Sequence, residues 1–237
     1  MSSEPPPSYG PWPALDMEER RILGVMVEKA KTTPDAYPMS VNALVTGANQ
    51  KSNRDPILNL SDLDVEDILV RCQKKDLAIK ITGGRVIRWR HSLYEAWRAD
   101  KVELAVLGEL LLRGPQTEGE LRPRASRMEP IDDLDALRAV LRPLVERNLV
   151  VYLTPEDRRG AVLTHGFHNP EELKRLRARH MAAPIPAAAT TTTPAPAPSR
   201  VEAPDEIAAL KQAVAALRGE MDGLRDELRQ FKQSLGA

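Results

Sequence analysis

Apolar residues recur along most of this chain at helical or strand spacing, and the breaks between the periodic stretches fall on prolines, glycines and capping residues. Asp16 with Glu19 three positions on forms a capping box, and Ile22, Leu23, Met26, Val27 and Ala30 follow on one helical face. The prolines at Pro34 and Pro38 end that helix. Ser40 then caps a short second helix carrying Val41, Leu44, Val45 and Ala48. After a polar loop, Ser61 caps a third helix with Val65, Ile68, Leu69 and Cys72 on one face and Lys74-Lys75 at its negative end. Leu77–Ile81, the turn Gly83-Gly84 and Arg85–Arg90 complete a β-hairpin.

The same order recurs. Ile68–Ile81 aligns without gaps with Val140–Leu153, 72 residues later, and both stretches read as a helix end running into a strand. The second copy has Leu104, Leu107, Leu110 and Leu111 in its first helix and Thr117 as the cap of its second. Ile131, Leu134, Leu137, Leu141 and Leu144 mark its third helix, and Leu149–Leu153 with Ala161–Thr164 its hairpin. Pro143 interrupts the third helix, where the lost hydrogen bond and ring clash cost about 3 kcal/mol, so a kink is expected. A further helix starts after Asn169 and runs to about Arg179. Three helices and a hairpin, twice over, predict a mainly α fold with small β-hairpins (α+β), built from tandem winged-helix domains.

The ends have a different composition. Five of the twenty prolines fall in residues 1–13 and six between Pro184 and Pro204, so the head is expected to be disordered and residues 181–204 to form an Ala/Pro/Thr-rich linker. The expected divisions are therefore 1–13, a first domain at 14–98, a second at 99–180, the linker, and a helix at 205–235. In that last segment Ile207, Leu210, Val214, Leu217, Met221, Leu224, Leu228, Phe231 and Leu235 alternate in spacings of three and four, a heptad seam. Glu206, Glu220 and Glu227 flank one side of it; Lys211, Arg218, Arg225 and Lys232 flank the other. That pattern pairs opposite charges across a parallel homodimer and like charges in an antiparallel one.

Several residues beyond the periodic pattern carry a resemblance. Thr32–Pro38, Ser40–Leu44 and Asn49–Pro56, followed by Leu112–Thr117, Gly119–Arg122 and Ser126–Met128, resemble the signature of the YceH-like family of bacterial proteins. The resemblance covers about residues 15–168. It implies tandem winged helices and no established activity, and Pro123 and Pro143 depart from the usual pattern.

Charge narrows the function. The chain balances 34 Lys and Arg against 34 Asp and Glu, and each predicted domain is near neutral, so it is not a general polyanion binder of the strongly basic kind. A patterned basic face remains open. Gln50–Arg54 lies between helices two and three, with Lys51, Ser52, Asn53 and Arg54 as donors, and Arg85, Arg88 and Arg90 lie along the hairpin strand, expected on one face. Arg122, Arg124 and Arg127 hold the matching loop of the second copy, and Arg158 and Arg159 its hairpin tip. These groups are either phosphate contacts or solvated surface charges. The third helices start acidic, at Asp62, Asp64, Glu66 and Asp67 and at Asp132, Asp133 and Asp135, which suits the helix dipole and opposes phosphate.

Catalytic chemistry is absent from the pattern. His91, His165, His168 and His180 lack ligand spacing, Cys72 sits on an apolar face, and no phosphate-cradling glycine loop or nucleophile elbow occurs. No metal, cofactor or enzymatic activity is expected. One cysteine, no signal peptide and no apolar run of spanning length lead us to expect a soluble, cytoplasmic protein without a membrane partner. The leading expectation is a dimeric protein associated with double-stranded DNA; the alternative is a scaffold that binds another protein, as in chromosome-segregation proteins with tandem winged helices.

Overall fold

A computed structural model describes residues 12–156, 158 and 160–182. Helix α1 (Met17–Thr32) starts at the capping box: the Glu19 N–H donates to Asp16 Oδ1 at 2.8 Å and the Asp16 N–H to Glu19 Oε2 at 3.0 Å. A 3-10 turn (Pro34–Ala36) leads through Met39 to α2 (Val41–Ala48), capped by Ser40, and then to α3 (Asp62–Lys74), capped by Ser61. Strands β1 (Ala78–Ile81) and β2 (Arg88–His91) pair antiparallel, with Ala78 opposite His91 and Ile81 opposite Arg88. A short helix α4 (Leu93–Trp97) then connects to α5 (Lys101–Arg113).

The second copy follows the first. Strand β3 (Gln116–Thr117) runs into α6 (Glu118–Ala125), capped by Thr117, and α7 (Leu134–Glu146) is capped by Asp133. Strands β4 (Val150–Tyr152) and β5 (Val162–His165) form the second hairpin, and α8 (Pro170–Ala182) ends the described chain. The strand order here is β3-β5-β4. The first copy has the same arrangement in reduced form, because Met39, just before the α2 cap, bridges to Trp89 on the free side of β2. Left-handed residues repeat as well: Asp76 (φ 58°) and Asn148 (φ 57°) stand 72 positions apart at the helix-to-strand turns. Asp and Asn tolerate that conformation better than other residues with a side chain.

Several details differ from the sequence expectations. Strand β2 starts at Arg88, so a six-residue connection replaces a tight Gly83-Gly84 turn. The short elements α4 and β3 were not anticipated by periodicity, and Ile131 precedes α7 while still packing in the core at 5% exposure. Helix α7 is continuous across Pro143 to Glu146.

The core is one cluster that runs from Leu15 to Phe167 through both copies. Its centre is the pair α1 and α5. Each is buried on all sides, α1 from Glu19 to Val27 and α5 from Glu103 to Leu112, as expected of helices in the middle of a bundle. Two glycines let them approach. A Cβ at Gly24 of α1 would lie 2.9 Å from Leu112 Cγ, and one at Gly108 of α5 would lie 2.7 Å from Val27 Cγ1. The chain ends of this body are tied together too: the Leu15 N–H donates to the Phe167 carbonyl, and Trp97 stacks on Phe167 with centroids 4.5 Å apart.

Val27 is β-branched and stiff in a helix, so it cannot turn away from a new side chain. Gly108→Val is therefore expected to lower stability by about 1–3 kcal/mol in urea unfolding. Gly119→Ala, on α6 where a Cβ meets nothing within 4 Å, is expected to be neutral or stabilising.

Candidate nucleic-acid interface

The basic loop between α2 and α3 points partly inward. Lys51, Ser52 and Asn53 are exposed, but the Arg54 side chain is fully buried. Its Nη2 donates to Glu28 Oε2 at 2.6 Å, its Nη1 to Glu28 Oε1 at 3.3 Å, and its Nε to the Gly47 carbonyl at 3.1 Å. Arg54 is thus no surface donor: it fastens the loop to α1. Arg21, 1% exposed, does the same from below by donating to the Ala48 carbonyl at 3.0 Å. Its charge inside an otherwise apolar stripe is the sequence signal for that role. Burial and the neighbouring Arg54 push the Arg21 guanidinium down to about 10.

The matching loop of the second copy is also internally engaged. Arg122 Nη1 donates to the carbonyls of Ile131 (3.1 Å) and Asp132 (3.0 Å). Arg124 donates to Gln116 Oε1 at 2.6 Å, and Arg127 lies 3.8 Å from Glu109. Glu109, 2% exposed on α5, also pairs with Arg113 at 2.9 Å, and Arg113 donates to Asn53 Oδ1 of the first loop. Burial raises the Glu109 carboxyl above its usual value, against the pull of Arg113, Arg127 and Arg124. The two loops therefore meet at the crossing of α1 and α5. At the second hairpin tip Arg158 is half-buried, and Arg159 lies outside the described residues.

The first hairpin is different. Arg88 is exposed and Arg90 half-exposed on the outer face of β2, opposite Ile81 and Ile79. Arg85 falls in the connection ahead of the strand, so the expected shared face holds for Arg88 and Arg90 alone; Arg85 is three residues from Arg88, an odd step that alternation cannot align. Lys80, missed in the sequence, adds a fourth cation 5.7 Å from the Trp89 ring centroid. Arg88 donates to the Pro38 carbonyl at 2.6 Å. Among the described residues none of the four reaches a carboxylate within 4.0 Å, whereas Arg20, Arg54, Arg71, Arg113, Arg124, Arg127, Arg138 and Arg147 all do.

The third helices present the opposite charge. Asp62, Glu66 and Asp67 are exposed along α3, beside Leu63 at 74% exposure and Val70 at 44%. Asp64 is held below the usual carboxylate range by the Ser61 hydroxyl and N–H. On α7, Asp133 caps the Ala136 N–H at 2.7 Å and Asp135 pairs with Arg138.

His91, His165 and His168 are built into the packing of the fold. Burial pushes His91 down to about 4, and His165 and His168 stack with centroids 4.0 Å apart. Cys72 is buried in the core and its thiol is pushed up to about 12. Among the described residues no group of three His, Cys, Asp or Glu is arranged to hold a metal, and no helix is long and apolar enough to cross a membrane. The heptad residues Ile207 to Leu235 lie outside the described residues.

The structure thus defines a mainly helical α+β protein with two copies of one helix-and-hairpin unit over one core. Residues 15–159 match a family described as "Protein of unknown function, DUF480". A UPF0502 protein of Rhodopirellula baltica is 46% identical over 172 residues, covering 72% of this chain and 69% of that one. One from Geotalea daltonii is 53% identical over 134 residues, covering 56% of this chain and 62% of the relative. One from an Acidovorax species is 34% identical over 222 residues, 94% of each chain. The chain belongs to this DUF480/UPF0502 family of bacterial proteins.

The Arg54–Glu28 pair generates a pH prediction. Burial raises the Glu28 carboxyl, but the hydrogen bonds and charge of Arg54, with Lys29, outweigh it and hold Glu28 below its ordinary 4.5. A depressed folded value stabilises fully above the unfolded one and is lost as pH falls through the folded one. Arg54→Met is expected to cost about 1–3 kcal/mol near neutrality, since it removes the hydrogen-bonded partner of a half-buried carboxylate and leaves it Lys29, 3.3 Å away. The loss should be smaller at pH 4 than at pH 7, where urea unfolding of both chains measures it.

Proposed function

We propose that this chain is a non-enzymatic, cytoplasmic tandem winged-helix protein that associates with double-stranded DNA through its first hairpin. The reading rests on one observation: Lys80, Arg85, Arg88 and Arg90 gather on that hairpin without a carboxylate partner among the described residues, whereas eight arginines elsewhere in the described chain reach a carboxylate within 4.0 Å. The order of three helices and a hairpin, with a third short strand or bridge beside the hairpin's second strand, supports the winged-helix assignment.

A winged helix ordinarily lays its third helix in the major groove and touches phosphates with the hairpin. Here Asp62, Glu66 and Asp67 would face phosphates, so α3 stays away from the groove and the hairpin leads. Contacts of that kind fix position on the duplex and carry little sequence information. The exposed Leu63 and Val70 favour a second role for α3, contact with another protein, and the two surfaces do not compete.

The heptads at Ile207 to Leu235 make the acting form a parallel coiled-coil homodimer, which doubles the hairpins available to one duplex. Light scattering is expected to give a dimer for the full chain and a monomer for one truncated after Pro186; an unchanged mass rejects the coiled coil's role.

Each phosphate neutralised contributes about −0.9 to the slope of log affinity against log salt. The intact protein is expected to bind duplex fragments at about 50 mM salt and to lose affinity steeply toward about 200 mM. Arg85→Ala, Arg88→Ala and Arg90→Ala together should make the slope less negative by about 2–3 per chain, for every duplex sequence alike. Absence of binding by the intact protein at low salt sinks the reading.

A further inference from the structure

Helix α8 has a fixed base and an unpartnered shaft. At the base, Asn169 Oδ1 accepts from the Glu172 N–H at 2.8 Å. Arg20, 8% exposed, donates to Glu172 Oε1 from both Nη atoms at 2.9 Å, and His168 Nδ1 lies 3.0 Å from the same oxygen. These contacts fix the first turn of α8 against α1 and the segment after β5.

Beyond that turn the described side chains are exposed or half-buried, and neither Leu173 nor Leu176 belongs to the core cluster. Lys174, Arg175, Arg177 and Arg179 are all exposed, and none reaches a carboxylate within 4.0 Å among the described residues. Lys174 and Arg177 lie one turn apart, as do Arg175 and Arg179; Glu171 stands three and four residues before Lys174 and Arg175, but one turn before Arg177 and Arg179 there are only cations and leucines. Like charges at that spacing weaken a helix. Elsewhere the protein uses such spacings for attraction, in Arg113–Glu109, Arg124–Glu120 and Arg138–Asp135. The helix dipole rewards cations only within its last turn, which accounts for Arg179 and not for Lys174, Arg175 or Arg177. The run is thus poorly explained by the stability of α8 itself.

We propose that α8 is a second polyanion contact: a rigid basic arm that lays Lys174, Arg175, Arg177 and Arg179 along the phosphate backbone of duplex DNA. This rests on the reading of the protein as DNA-associated and adds an element that the hairpin does not include. The charge chosen by the arm is complementary to phosphate oxygens, and the long flexible side chains suit contacts spaced along a backbone. An anionic bilayer is the poorer partner, because an interfacial helix needs a broad apolar face to insert, and α8 offers the half-buried Leu173 and Leu176 on one side and the exposed Met181 among its cations on another.

The test compares the full chain with the full-length variant Lys174→Gln, Arg175→Gln, Arg177→Gln, Arg179→Gln in duplex titrations between about 50 and 200 mM salt. Four lost phosphate contacts should make the salt slope less negative by about 2–4 and weaken low-salt binding more than tenfold. The thermal midpoint should stay put or rise slightly, because none of the four exposed side chains packs and their mutual repulsion is removed. If the parent binds duplex and the variant keeps its slope and affinity, the arm is wrong and the hairpin reading stands. If binding survives the hairpin substitutions and is lost with these, the hairpin reading fails and the arm holds. A parent that binds no duplex overturns both. Loss of binding to vesicles with a quarter phosphatidylserine, with duplex affinity unchanged, assigns the arm to membranes and overturns the proposal.

Discussion

The crossing of α1 and α5 sets the rest of the structure. Two glycines face two branched side chains there, Gly24 against Leu112 and Gly108 against Val27, and the backbones come close enough that neither glycine has room for a Cβ. Because each helix is the first of its copy, their contact makes one core from two similar units. It also explains charged groups in the interior. Glu28, half-buried, leaves α1 and Glu109, buried, leaves α5 at the crossing; Arg54 reaches the first from the loop after α2, and Arg113 of α5 itself with Arg127 from the loop after α6 match the second. A buried carboxylate without those partners would cost several kcal/mol. The polar loops are therefore bolts on the crossing, and Asn53 joins one to the other through Arg113.

That arrangement divides the cations into two populations. Arginines near the crossing are spent on internal ion pairs and carbonyls. Among the described residues the cations of the first hairpin and of α8 form no such ion pair, Arg88 donating to the Pro38 carbonyl, and they are the ones proposed to meet phosphate. Net neutrality hides this division, because the opposing carboxylates sit partly in the interior and partly on the exposed side of α3. Total charge therefore does not tell which faces carry cations without a carboxylate partner.

Local signals were the legible ones. The caps at Asp16, Ser40, Ser61, Thr117 and Asn169 stand where the sequence placed them, because a cap needs only residues within one turn. The hairpins were legible from alternation, and the 72-residue repeat reappears in the left-handed Asp76 and Asn148. The fate of Arg54 was not legible, since its partner Glu28 is 26 residues away and only the folded chain brings them together. The two-residue strand β3, the Met39 bridge and the five-residue α4 are shorter than any period that a pattern can reveal. The position of Arg85 depended on where β2 begins, and glycines near a strand leave that boundary loose.

One core through both copies requires that α1 and α5 open together. Native-state hydrogen exchange measures it, since amides released only by global unfolding share one opening free energy. The slowest amides of α1 and of α5 are predicted to exchange with the same free energy and the same denaturant dependence, equal to those of global unfolding. Exchange of α1, α2 and α3 through an opening several kcal/mol below that of α5, α6 and α7 would contradict it and leave two independent units joined by a chain.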